Sequence, residues 1–233
     1  MNRSTELINN YKKVKDEVDS ACRECGRDPS EITLIAVSKF FPASDIAVIA
    51  EQGQLDFGEN RVQELLSKQA ELNMPINWHL IGTLQKNKVN KVVGQVQLIH
   101  SVDNFELLQK IEQRAKQLQI CQDVLLQVKM VEDKNKFGFT PQTATEVIKS
   151  FSSSTINIRG LMIISPLYDN VSESEQVFCL GEELFIDLAK IKSARSETWD
   201  CLSMGMSGDY RYALRHGATH IRIGSAIFGE RYS

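Results

Sequence analysis

Two places in this chain could do chemistry together. The apolar run ITLIAVS (32–38) ends on Lys39, and far downstream two glycine–serine turns follow one another, Ser203–Met204–Gly205–Met206–Ser207–Gly208 and Arg222–Ile223–Gly224–Ser225. An amine at the rim of an apolar core, its pKa lowered by burial and nearby cations, is a nucleophile toward an aldehyde. Such an amine needs a partner site, and the two turns have the composition of a phosphate cradle. Glycine lets the backbone approach, serine adds a hydroxyl, and N–H groups at a helix start favour an anion. Arg222 precedes Gly224 by two residues, so both positions face the same side of a strand. A permanent cation there could meet the ring nitrogen of a pyridine cofactor and keep it unprotonated, which weakens the ring as an electron sink. Each feature also has a plainer reading. Lys39 alone is a solvated strand end, the turns alone are helix caps, and Arg222 alone is an interior arginine paired with a carboxylate.

The elements that would bring these residues together are legible as alternating runs. Short, uniformly apolar stretches occur at ITLIAVS (32–38), QLDFG (54–58), INWHLIG (76–82), VQLIHSV (96–102), DVLLQVKMV (123–131), INIRGLMII (156–164), TWDCLSMG (198–205) and ATHIRIG (218–224). They are too short for helices and too apolar for a one-sided sheet, as expected of parallel strands covered on both faces. Amphipathic stretches lie between them, after a polar leading helix at about 4–25. Start signals are Pro42 with Ser44–Asp45, a capping box of Asp103 with Glu106, Thr140–Pro141, and Ser172 with Glu175 opening a helix through Lys192. Eight strand–helix units predict a closed (β/α)₈ TIM barrel, one domain over residues 1–233 with an extra N-terminal helix. An open doubly wound sheet would want a Gly-rich turn after the first strand, and AVSKFFP (36–42) has none.

In such a barrel the working residues lie at the C-terminal strand ends. Those ends read Ser38–Lys39, Gly58–Glu59–Asn60–Arg61, His79 with Gly82 and Gln85, then the two glycine–serine turns.

Composition narrows the rest. A net charge of −3 gives no pull toward nucleic acid. No run approaches a membrane span and the first residues are charged, so a cytoplasmic protein without a signal peptide is expected. Five cysteines, an odd and scattered set, fit reduced thiols. Cys22 and Cys25 form a C-x-x-C without a second pair, and four histidines show no metal-ligand spacing, so no metal is expected. The basic stretch Gln85–Lys91 reads as a solvated helix face.

AVSKFFP (36–42), FGENRVQE (57–64), WHLIGTLQKNKV (78–89), HSVD (100–103), GLM (160–162), LSMGMSGDY (202–210) and IRIGSAIFG (221–229) resemble, in order and over nearly the whole chain, the pyridoxal phosphate homeostasis proteins. That group is related to the barrel domain of alanine racemase. The resemblance implies a fold-type III barrel lacking the C-terminal β domain, with pyridoxal 5′-phosphate (PLP) on Lys39 as a covalent aldimine. It implies Ser207, Gly208, Gly224 and Ser225 at the phosphate, Arg222 at the pyridine nitrogen, Asn60 and Met204 in the pocket, and His79 as a wall residue. The chain departs from the family pattern at Gly208, often acidic there, at Ile163–Ile164–Ser165–Pro166, and at Phe137 in the loop Lys134–Gly138.

The function implied is buffering or delivery of PLP, with apo PLP-dependent enzymes as recipients and a monomer expected. A non-enzyme is expected, with weak racemase-like exchange left open. The alternatives are an amino-acid racemase, which needs two bases and would draw one from a second domain, and a Schiff-base aldolase acting on a sugar phosphate.

Overall fold

Uniformly apolar runs become barrel staves because both faces of each strand are covered, one by the barrel interior and one by the helical layer. In a computed structural model the strands are β1 (Thr33–Val37), β2 (Asp56–Glu59), β3 (Asn77–Leu80), β4 (Leu98–Val102), β5 (Gln122–Val128), β6 (Ile156–Ile163), β7 (Cys201–Met206) and β8 (His220–Ile223). They pair in parallel in chain order, and β8 closes on β1 through Ala36 opposite Ile223. The structure describes residues 2–131, 137–165 and 171–230, without the side chains of 171 and 172. Lys134–Lys136 of the loop after β5, and Pro166, lie outside the described residues.

The helices are α1 (Arg3–Glu24), α2 (Ala43–Ala50), α3 (Val62–Glu71), α4 (Val89–Val92), α5 (Phe105–Leu118), α6 (Pro141–Ser150), α7 (Val171–Ser193), α8 (Tyr210–Arg215) and α9 (Ser225–Phe228). None of the described helices is long and apolar enough to cross a membrane. Thr140 caps α6 with Pro141 at its first position, as the sequence predicts. The capping box expected from Asp103 is displaced by one residue: Asn104 accepts the Leu107 N–H at 2.9 Å and is the N-cap of α5. Both residue types cap well, and the strand–helix corner decides between them. Helix α7 begins at Val171, which puts Ser172 inside it rather than ahead of it. Cys22 is buried in α1, and the Cys25 thiol at its end donates to the Ala21 carbonyl at 2.7 Å. Among the described residues no cluster of His, Cys, Asp and Glu is arranged to hold a metal.

Strand alternation sorts the core into two unequal parts. The large apolar shell lies between strands and helices, and includes Ala36, Phe57, Trp78, Ile99, Leu126 and Leu202. The barrel interior has a small apolar cluster of Leu98, Leu125, Met162 and Cys201. Other interior positions are polar and buried, among them His79, His100, Ser203 and Arg222. Barrel interiors are ordinarily filled by Val, Ile and Leu.

Candidate cofactor site at the C-terminal mouth of the barrel

Lys39 is half-buried and follows β1 at the C-terminal mouth. It is in a turn closed by the Phe41 N–H donating to the Ser38 carbonyl at 3.1 Å. Phe40, next to it, has φ of 72°, the left-handed region that such turns usually fill with glycine. A non-glycine residue there carries strain on the order of 1–3 kcal/mol and needs its surroundings to hold it.

The two glycine–serine turns adjoin each other and the end of β1. The Gly224 N–H donates to Ser207 Oγ at 3.3 Å. A side chain at Gly224 would press on Val37, 3.2 Å from its carbonyl oxygen, so glycine lets this turn close against the strand that leads into Lys39. The N–H groups of Ser207, Gly208, Ser225 and Ala226 find no acceptor among the described residues. Contrary to expectation, Ser207–Gly208 does not open α8. The helix starts at Tyr210 behind Asp209, whose carboxylate accepts the Met206 N–H at 2.6 Å and the Ser165 hydroxyl at 2.7 Å. Asp209 thus takes over the helix start, and the donors at Ser207 and Gly208 belong to the turn.

Arg222 is buried in the barrel interior, donating from Nη1 to Ser203 Oγ at 2.6 Å and from Nη2 to the Ile163 carbonyl at 3.0 Å. Among the described residues no carboxylate lies within ion-pair distance, so the plainer reading of a carboxylate-paired arginine does not hold. Burial lowers its pKa to about 10, partly opposed by the field of Asp209. A buried cation with only neutral partners is costly, and it gains from an acceptor brought by a ligand.

The Ser203 hydroxyl passes this contact inward. His100 Nδ1 is 3.0 Å from Ser203 Oγ, His100 Nε2 is 3.0 Å from His79 Nδ1, and His79 Nε2 is 3.0 Å from Asp56 Oδ1. Arg222 can only donate, and the chain then runs from arginine to serine and on through His100 and His79 to the aspartate. Burial, with the fields of His79, His220 and Arg222, holds His100 well below the usual histidine range. Burial is the largest influence on Asp56 and would raise it, but the hydrogen bond and field of His79, the Asn77 hydrogen bond and the field of His220 together lower it.

The expected site residues therefore divide. Lys39, Ser207, Gly208, Gly224 and Ser225 meet at the mouth, and Arg222 lies beneath them. Asn60 is half-buried at the end of β2, with its backbone where a side chain on Gly82 would collide. His79 and Met204 are not brought to the mouth. His79 points down the interior to Asp56 at the start of β2, and Met204 is buried outside the wall, its sulfur beside Gly181 of α7. Inward Ser203 forces Met204 outward. Sequence reasoning misses Ser203 and His100. Strand alternation gives no signal for Ser203, because β7 shifts register between Ser203 and Met206.

A closed eight-stranded parallel barrel with a lysine after β1 and donor-rich turns after β7 and β8 is the architecture of this chain. The family described as alanine racemase, N-terminal domain, matches residues 10–232. A pyridoxal phosphate homeostasis protein of Pseudomonas aeruginosa is 37% identical over 230 residues, covering 97% of this chain and 96% of that protein. The structure of PipY from Synechococcus elongatus without PLP is 39% identical at a TM-score of 0.83, covering 91% of this chain and 99% of that one. PipY with PLP bound is 36% identical at a TM-score of 0.79, covering 92% and 100%. The chain belongs to the pyridoxal phosphate homeostasis proteins, within the alanine racemase N-terminal domain family.

Proposed function

We propose that this protein binds PLP at the C-terminal mouth and holds it for exchange and delivery to apo PLP-dependent enzymes rather than for turnover. The carrying observation is Arg222, a buried cation with neutral partners beneath the open donors of two adjoining turns. These residues fit the cofactor chemically. The turns at Ser207–Gly208 and Gly224–Ser225 would hold the phosphate, Arg222 would donate to the pyridine nitrogen, and Asn60 would border the ring. When bound, the cofactor supplies an aldehyde that the Lys39 amine can attack with loss of water. An arginine that keeps the ring nitrogen unprotonated leaves little stabilisation for a substrate carbanion, which favours holding over racemisation. The PLP-bound PipY structure and the name of the Pseudomonas relative support this reading.

Borohydride reduction of the PLP-loaded protein, followed by peptide mapping, should leave a phosphopyridoxyl group on Lys39. A label on Lys129 or Lys136 would overturn the anchor. Incubation with alanine in D₂O should give no D-isomer at rates near the ~10 s⁻¹ typical of enzymes, and mixing with an apo PLP enzyme should restore that enzyme's activity.

A further inference from the structure

Outside the barrel wall, beside the C-terminal ends of β1 and β2, α3 carries a buried lysine whose bonds do not behave like those of a helix-surface pair. Lys68 Nζ donates to the Ser38 carbonyl at 2.9 Å, to Glu59 Oε1 at 2.6 Å and to Glu64 Oε1 at 2.7 Å. All three ammonium protons are thereby used. Glu59 Oε1 also accepts the Ser38 hydroxyl at 2.7 Å, and Glu64 Oε1 also accepts the Phe40 N–H at 2.6 Å. The Lys68 and Glu59 side chains are only 6% and 0% exposed. The guanidinium of Arg61 lies 5.5 Å from the centroid of the Phe40 ring, covering the turn from outside.

Glu64 and Lys68 stand four residues apart on a helix, a spacing that on a surface is worth a few tenths of a kcal/mol and positions nothing else. Here the contacts run instead to the backbone on both sides of Lys39: the carbonyl of Ser38 before it and the N–H of Phe40 after it. They end on the one residue of the turn in a left-handed conformation. A strained φ persists only where neighbours over-determine it, and the Glu64 carboxylate supplies a charge-assisted bond at that peptide.

We propose that Glu59, Glu64 and Lys68 form a clamp that sets the Ser38–Phe41 turn and thereby aims the Lys39 amine into the mouth. They are positioning residues, since they grip the turn from outside the wall. The inference rests on Lys39 being the anchor, and it adds which part of the chain decides whether that amine reaches its partner.

The test compares wild type, Glu64→Ala, Glu64→Gln and Glu64→Met, with Lys39→Ala as control. In the cofactor-free protein, amide hydrogen exchange at Phe40 should quicken roughly tenfold in Glu64→Ala, the loss expected for one charge-assisted bond. In the PLP-loaded protein, the ratio of borohydride-fixed to merely bound cofactor should fall by a similar factor. Glu64→Gln keeps an oxygen for the Phe40 N–H and should recover most of both signals, whereas Glu64→Met, which keeps the bulk and lacks the acceptor, should behave like Glu64→Ala. Should Glu64→Ala fail to fold, the charge-neutral pair Glu59→Gln with Lys68→Met is read in the same way. A wild-type label on another lysine overturns the anchor and the clamp with it. A wild-type label on Lys39, with unchanged ratio and exchange in the clamp variants, overturns the clamp alone.

Discussion

The two ends of this barrel are built from similar residue types and leave their polar groups in opposite states. At the base, beside the strand starts, a cavity of about 370 Å³ is lined by Asp56, His79, Arg159, Asp200 and His220 among others. Its charges answer one another within the chain. Arg159 bridges Asp123 at 3.1 Å and Asp200 at 2.5 Å, His79 meets Asp56, and His220 Nδ1 meets Thr219 Oγ1 at 2.9 Å. At the C-terminal mouth Arg222 has no such answer, and four turn N–H groups point to no protein acceptor among the described residues. A cavity whose polar groups are satisfied is a structural device, whereas an unanswered cation beside open donors is prepared for a ligand. The cavity at the base is therefore not the candidate site.

The largest effect should come from removing the donors at the open mouth. Ser207→Ala with Ser225→Ala takes away two hydroxyl bonds to a phosphate, each worth about 1.5–3 kcal/mol, so PLP should bind more weakly by ~100-fold or more. Both residues are at least partly exposed, and melting should hardly change. Asp56→Asn, at the base, should leave PLP affinity within about twofold, because several links separate it from Arg222. Equal losses from the two ends, measured by spectroscopic titration, would erase the distinction between them.

The positions of these groups along the chain are legible in the sequence, and their directions only partly so. The eight apolar runs predict the eight strands, and the C-terminal strand ends predict Lys39 and both turns. The place of His79 near the end of a run suggests the pocket, yet β3 stops at Leu80 and His79 enters the interior facing the base. Met204 shows the same gap. Counting by twos back from Ser207 does not give its direction, because β7 shifts register between Ser203 and Met206 and Gly205 takes φ of 92°. The left-handed Phe40 cannot be foreseen, because no glycine marks it and its support comes from a helix more than twenty residues on. The pair Glu64 and Lys68 is visible as spacing alone, and spacing cannot tell a solvated pair from a buried one.

Two arginines separate the ends at intermediate size. Arg159→Gln would leave Asp123 and Asp200 facing each other without their cation, and should destabilise the protein by about 2–3 kcal/mol, less than a fully buried pair because these side chains are partly exposed. Arg222→Gln removes a buried charge that is ion-paired with no carboxylate among the described residues and keeps a donor for Ser203, so the cofactor-free protein should be within about 1 kcal/mol of wild type. Its PLP affinity should fall instead. Chemical denaturation of both apo variants, beside PLP titration of both, reads the two effects separately. A strongly destabilised Arg222→Gln with unaltered PLP binding would make Arg222 a structural residue like its counterpart at the base.

The smallest expected effect is a pH dependence that arises at the base and not at the mouth. Burial lowers the His220 pKa from 6.5 to about 4, with the field of His79 next in size and Arg159 acting the same way, while Asp200 and Asp56 oppose them. A histidine depressed in the folded state binds fewer protons there than in the unfolded chain between those two values. Unfolding then takes up protons in that window, so stability is full above about pH 6.5 and declines as the pH falls toward about 4. Buried His100 shifts in the same direction and adds to the decline. His220 is half-buried and lines the basal cavity, where solvent softens the penalty, so its share is on the order of 2 kcal/mol across the window. Urea denaturation of the cofactor-free protein at a series of pH values measures this slope, and His220→Gln should flatten it while leaving Lys39 labelling at neutral pH unchanged. A slope that survives His220→Gln intact would assign the acid sensitivity to His100 and the interior chain, and the base would then be tied to Arg222 more closely than the separation of the two ends allows.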